Sequence, residues 1–207
     1  LPINCLLLLG PAFALLRSEF KDWRERSLER RLDGSVENIL ITTGGVDLNN
    51  HTLQVLKEIT KSEYATKCTF TVVTGRSYPH INSLNAFLQA SKLSVSVLSN
   101  VKNMAEIMSK SDLCIGAAGS TSWERCCLAL PTISLAIAEN QIEIAEQLGK
   151  RNVAIYSNIT NLLRNFEQFF DGSGKGLQRA LSANARKICD GLGTLRVLEE
   201  LEKKFEN

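Results

Sequence analysis

From Val36 onward the chain alternates short apolar runs with stretches whose apolar residues recur at helical spacing. "VENILIT", "CTFTVVTG", "SVSVLSN", "DLCIGAAG", "TISLAI" and "NVAIYS" are the apolar runs, rich in Val, Ile and Thr, which suit a pleated sheet. Between them lie "NNHTLQVLKEI", with Leu53, Leu56 and Ile59 at helical spacing, "INSLNAFLQA", and "VKNMAEIMSKS", with Met104, Ile107 and Met108 on one side. "STSWERCCLAL", stopped by Pro131, and "NQIEIAEQLGK", closed by Gly149, complete the set. Asn49 or Asn50 is placed to cap the first of these helices. The stretch 159–205 reads as mainly helical, interrupted by "DGSGKG" and "CDGLG". Six short strands separated by helices imply a parallel sheet with right-handed crossovers and helices on both faces. The expected class is α/β, a Rossmann-like parallel six-stranded sheet, spanning residues 34–207.

Residues 1–33 differ in character. "LPINCLLLLG" resembles the end of a strand, closed by Gly10 and Pro11, and "KDWRERSLERRL" reads as a charged linker or as a helix that needs a surface outside this chain. The chain begins at Leu1, not at methionine, which predicts that the protein extends upstream and that residues 1–33 are an interdomain segment. The apolar run 3–9 is too short to span a membrane, and no basic leader precedes it, so neither a transmembrane segment nor a signal peptide is expected.

Composition excludes two further classes. Hydrophobic residues at 44% and charged residues at 22% fit a soluble globular chain rather than a disordered one. A formal charge of +2 gives no basic stripe for nucleic acid. The six cysteines lack zinc spacing. Cys126 and Cys127 sit side by side on a helix and face different ways, and Cys5, Cys68, Cys114 and Cys189 sit singly in or near apolar runs. They read as buried thiols of a cytoplasmic protein. With only His51 and His80, no metal centre is expected.

Parallel sheets of this kind take ligands beyond the carboxyl ends of their strands. That directs attention to residues 43–50, 75–80, 99–102, 116–124 and 138–141. Gly44 and Gly45 end the first strand in a turn that lets backbone pass close to a ligand, ahead of a helix with free N–H groups; the alternative is a plain tight turn. Gly116, Ala117, Ala118 and Gly119 clear side-chain bulk before Ser120 and Thr121 open a helix, where a diphosphate can dock; the alternative is an ordinary cap by Ser120. Glu124 is placed either to accept bonds from two ribose hydroxyls or to complete a capping box from Thr121. Asn100, Val101 and Met104 follow the third strand and can meet a base, or serve as helix start and core. Asn140 and Gln141 can bind sugar hydroxyls or a phosphate, or act as caps. Trp123, Met104, Leu163, Phe166, Phe169 and Phe170 read as packing, and Arg17 as a residue able to reach the cleft.

The segments "LLLLGPAFALLRSEF", "ILITTGGVDLNNHTLQVL" and "NVKNMAEIMSKSDLCIGAAGSTSWERCCLALPTISLAIAENQIEIAEQL" resemble the UDP-sugar hydrolases of pseudaminic acid biosynthesis, and more widely the glycosyltransferases of GT-B architecture. The similarity covers residues 6–155, and the Ser-Thr-x-Trp-Glu stretch with "RCCLALP" is its specific part. The resemblance implies the carboxyl-terminal domain of a GT-B two-domain protein, with an amino-terminal domain across the cleft and a UDP-sugar as substrate. It puts Gly44, Gly45, Gly119, Ser120 and Thr121 around the diphosphate, Glu124 at the ribose and Asn100, Val101 and Met104 at the uracil. Asn140 and Gln141 would face the sugar or the β-phosphate. The implied reaction is hydrolysis at the anomeric carbon of a UDP-linked diacetamido-trideoxy-hexose, with inversion. In such enzymes the catalytic His belongs to the amino-terminal domain, so no catalytic residue and no cofactor is assigned here, and this chain alone is expected to be inactive. Two positions depart from the pattern: Val46 stands where a small hydroxyl residue is common, and Ala118 where Gly is common, which is tolerable at negative φ. A GT-B glycosyltransferase and a non-catalytic nucleotide-sugar-binding domain are the competing readings.

Overall fold

The computed structural model describes residues 5–205. A 3-10 turn at Pro11–Phe13 precedes α1 (Ser18–Arg30), β1 (Asn38–Thr42), α2 (His51–Ile59), β2 (Thr69–Thr74), α3 (Ile81–Ala90) and β3 (Ser94–Ser99). There follow α4 (Met104–Lys110), β4 (Leu113–Ala117), α5 (Thr121–Cys127), β5 (Thr132–Leu135), α6 (Glu139–Lys150), β6 (Ile155–Ser157), α7 (Ile159–Glu167), α8 (Gly174–Ala185) and α9 (Gly193–Phe205). The strands form one parallel sheet in the order β3-β2-β1-β4-β5-β6. Winding runs outward from β1 to β3, then returns through α4 to β4 and runs the other way. Loops leaving β1 and β4 therefore part in opposite directions, which opens a crevice at their carboxyl ends.

Period-two alternation divides the strand side chains between two cores. Ile39 and Ile41, Phe70 and Val72, Leu113 and Ile115, and Ile133 and Leu135 cluster with Val55, Leu56 and Ile59 of α2, Leu84 of α3 and Leu162 and Phe166 of α7. Leu40, Val73 and Cys114 belong to the opposite cluster, with Phe20 of α1, Met108 of α4, Cys126 and Cys127 of α5 and Leu148 of α6. Each of the aliphatic and aromatic side chains among these contributes roughly 1.5–3 kcal/mol by leaving water. On α7 the residue buried with Phe166 and Phe169 is Leu162, one position before the expected Leu163.

Several local expectations are corrected. Residues 5–9 form no strand, and Leu6, Leu7 and Leu9 are exposed, because β3 and β6 are the sheet's edges and neither pairs with them. The start of that expected strand end, residues 1–4, lies outside the described residues. The charged segment folds as α1, and its surface is within this chain: it packs on α4 and α5 and buries Phe20 and Ser27. Its arginines are partly structural. Arg24 donates to the carbonyls of Cys127, Cys189 and Arg186. Arg30 pairs with Asp112 at 2.8 Å. Arg31 donates to the carbonyls of Ser111 and Met108, and burial pushes its guanidinium down to about 9. Hydropathy reads such residues as solvated, yet a guanidinium offers five donors that can satisfy buried carbonyls.

Helix ends differ as well. Gly149 lies inside α6, and the reversal is made by Asn152 at φ 52°. α5 stops at Cys127, four residues before Pro131, where Ala129 adopts φ 49°. Cys5 is exposed while the other five cysteines are buried, and none is in a disulfide.

Candidate functional site

β1 ends at Thr42 and the chain turns at Gly44, whose φ of 108° suits glycine. Asp47, at φ 49°, then closes the turn. Its carboxylate accepts from the N–H of His51 at 2.7 Å, the N–H of Thr52 at 2.8 Å and the Thr43 hydroxyl at 3.0 Å. The first N–H groups of α2 are thus taken by Asp47, not left for a phosphate, and neither Asn49 nor Asn50 caps them. Asn50 is left-handed at φ 55°, and its side chain instead accepts from the Tyr78 hydroxyl at 2.7 Å. His80 Nε2 meets the carbonyl of Leu48 at 2.8 Å, so residues 75–80 largely brace the preceding loop. At Gly75 the braces touch: a Cβ there would run into the backbone of Gly45.

The turn after β4 is built differently. Ala118 donates to the carbonyl of Leu135 at 2.9 Å and lies outside the left-handed region, so alanine fits there. Among the described residues, the backbone N–H groups of Gly119, Ser120 and Thr121 have no acceptor. Ser120 does not cap α5 with its side chain, and Glu124 makes no capping bond to Thr121. A Cβ on Gly45 or on Gly119 would meet nothing within 4 Å, and neither residue has a positive φ. Nothing inside the protein demands glycine at these two positions.

The turns after β1, β2, β3 and β4 converge on an open cleft of about 230 Å³. Gly44, Gly45, Asn100, Val101, Met104 and Thr121 line it together with Gly75. Asn100 adopts φ 52° and donates to the Thr74 carbonyl at 3.0 Å, which turns the 100–104 loop over the end of β2. Val101, Met104 and Trp123 also pack on the apolar cluster below. Gly119, Ser120 and Glu124 adjoin the lining through Thr121. Asn140 and Gln141 do not line the cleft: Asn140 is exposed at the start of α6, and Gln141 Oε1 accepts from the Ile137 N–H at 3.2 Å, a cap.

Glu124, on the first turn of α5, is a half-buried carboxylate with 18% of its side chain exposed. Burial raises its pKa, and Arg17, then Arg125, oppose the rise. Arg17 reaches the site from the segment before α1, with Nη2 3.9 Å from Glu124 Oε1 and Nη1 donating to the Lys102 carbonyl at 3.4 Å. Two residues here escaped the sequence reading. Asp47 falls within residues 43–50, but nothing in the sequence singles it out. Nothing in the sequence singles out Arg125, although the Gly116 that makes room for it was visible. Among the described residues no cluster of His, Cys, Asp or Glu could hold a metal ion, and no helix is long and apolar enough to cross a membrane.

The sequence matches the family model of the glycosyltransferase family 28 C-terminal domain over residues 38–187. It is 32% identical over 148 residues to an uncharacterized protein of Methanocaldococcus jannaschii, covering 70% of this chain and 30% of that protein. It is 25% identical over 154 residues to the UDP-2,4-diacetamido-2,4,6-trideoxy-beta-L-altropyranose hydrolase of Campylobacter jejuni, covering 74% of this chain and 52% of that one. The chain thus spans about half of the second protein's length and less of the first. The crystal structure of MurG from Acinetobacter baumannii superposes with a TM-score of 0.63 at 18% identity, over 82% of this chain and 52% of that one. The fold is that of the carboxyl-terminal domain of the GT-B architecture.

Proposed function

This chain belongs to the family of glycosyltransferase family 28 C-terminal domains, and on that ground we propose that its cleft binds the UDP part of a UDP-sugar. The observation that carries the reading is the pair Gly45 and Gly119. Both flank the crevice, and neither is required by packing or by φ, so their bareness serves something that approaches from outside. In this reading the turns at Gly44 and Gly45 and at Gly119, Ser120 and Thr121 hold the diphosphate, with the three N–H groups that lack acceptors as its donors. Glu124 accepts from the ribose, and Asn100, Val101 and Met104 meet the uracil. Asn140 is left to reach the sugar; Gln141 does so only by giving up its cap.

The whole protein, with an amino-terminal domain joined through residues 1–33, would be a cytoplasmic hydrolase that releases UDP and the free diacetamido-trideoxy-hexose with inversion. The Campylobacter jejuni relative supports that chemistry by name, whereas the family description favours sugar transfer as the second reading. In either case this chain's part is to stabilise charge on the departing UDP with preorganised donors, and it carries no catalytic residue. Titration calorimetry of the chain with UDP, CMP and NAD tests the binding. UDP is expected to bind most tightly, and absence of any preference for it overturns the proposal. Sugar release by the isolated chain is expected to be nil.

A further inference from the structure

Arg125 is among the largest side chains shut away in this fold, at 2% exposed. Its Nη2 donates to the carbonyl of Ala117 at 2.8 Å and to the hydroxyl of Ser122 at 3.0 Å, both neutral acceptors. Its Nε and Nη1 are buried with no nitrogen or oxygen acceptor, and the neutral Cys114 thiol is the side chain beside them. Nη1 stands where a Cβ on residue 116 would have to be, which accounts for Gly116. Glu124 lies next to it in sequence and senses its charge, yet the carboxylate's ion pair is with Arg17. The buried guanidinium of Arg31 donates to carbonyls from both terminal nitrogens. Arg125 instead has, among the described residues, two nitrogens without a nitrogen or oxygen acceptor and no carboxylate hydrogen-bonded to it, and a buried charge left so is costly. This one lies against Gly116 and Ala117, at the start of the turn in which the N–H groups of Gly119, Ser120 and Thr121 lack acceptors.

We propose that Arg125 is the built-in counter-charge of the cleft: a positioning residue that fixes the 116–122 turn and selects ligands carrying a diphosphate over the bare nucleoside. The inference rests on the nucleotide reading of the cleft and adds to it the source of charge selectivity. A diphosphate settling on the turn completes a charge balance that the protein leaves open. The guanidinium acts through the low-dielectric layer between, where a unit charge is felt far more strongly than in water. It forms no contact with the base or ribose, so its removal spares them.

The 207-residue chain and its Arg125→Met, Arg125→Gln and Arg125→Lys variants are titrated with UDP by calorimetry and with uridine by NMR, after melting curves confirm folding. Wild type should bind UDP more tightly than uridine. The two neutral variants should lose on the order of tenfold in UDP affinity and less than about twofold for uridine, and Lys, which returns the charge, should recover most of the loss. Gln keeps a donor for Ala117, so a folded neutral variant remains if Met does not fold. Equal losses for both ligands, or none for either, overturn the inference and leave the binding site standing. A wild-type chain that binds neither ligand overturns the reading of the cleft and this inference with it.

Discussion

Arg17 Nη2 lies 3.9 Å from Glu124 Oε1, linking the segment that enters α1 to the first turn of α5. Burial raises the Glu124 carboxyl, and Arg17 is the largest influence opposing the rise. A carboxyl raised by folding holds a proton that the unfolded chain has already released. The fold therefore loses stability as pH climbs from the ordinary value of 4.5 to the raised one, and the loss persists above it. Arg17→Met should deepen that loss. The variant is expected to match wild type near the acid end of its folded range and to fall behind by up to about 1 kcal/mol at neutral pH, since the arginine is half open to solvent. Urea denaturation across that range measures it. A difference independent of pH would mean that Arg17 acts by covering the Phe20 ring, 5.4 Å away, and a pH-dependent one that persists in Glu124→Gln would belong to Glu19, which pairs with Arg17 at 2.8 Å.

Asp47 holds the turn after β1 and the start of α2 with three hydrogen bonds. Asp47→Ala removes all three and leaves alanine at φ 49°. A lost cap and a strained residue together should cost about 2–3 kcal/mol in chemical denaturation. Asp47→Asn tolerates the left-handed conformation and keeps an acceptor, so its loss should be less than half as large. Comparable losses in the two variants would show that the charge, and not the geometry, does the holding.

Three glycines make opposite predictions. Gly75→Ala drives a methyl into the backbone of Gly45 and should destabilise the fold by roughly 1–3 kcal/mol. Gly45→Ala and Gly119→Ala meet nothing within 4 Å, so their melting temperatures should stay close to that of wild type. Both should nonetheless weaken UDP. If they bind UDP as wild type does, the open space above these residues is not where the diphosphate lies.

The alternation of strand and helix was legible because burial on both faces imposes periodicity on local sequence, and all six strands fell where the apolar runs stood. The position of the reversal was less so: nothing local in α4 says that it crosses from β3 back to β4. The turns rich in glycine were visible, but their roles were not. Whether Gly45 is bare for a ligand or for a neighbour is decided by residues distant in sequence, as Gly75 shows by contrast. Arg31 and Arg125 defeated the reading for one reason. Arginine is read as solvent-exposed by default, and only the carbonyls of Ser111, Met108 and Ala117, brought near by folding, reveal that these are buried.

Glu124 offers the sharpest test of the ribose assignment. Its capping role is not what the structure shows, since no bond joins it to Thr121, and its ion pair, with the half-exposed Arg17, is long at 3.9 Å. Its raised pKa says that the charged form is disfavoured in the unliganded protein. Glu124→Gln removes that charge with little change of shape and should leave stability at neutral pH unchanged or higher. Affinity should move the other way. Hydrogen bonds from hydroxyls to a carboxylate contribute roughly 1.5–3 kcal/mol each when shielded from water. The variant is therefore expected to lose on the order of tenfold or more in affinity for UDP. For 2′,3′-dideoxy-UDP, which has neither hydroxyl, the loss should be much smaller. Calorimetry with both ligands on both proteins closes the cycle, and the difference between the two losses isolates the contact. Equal losses for the two ligands would place Glu124 outside the ribose pocket and make its effect a general one on the cleft.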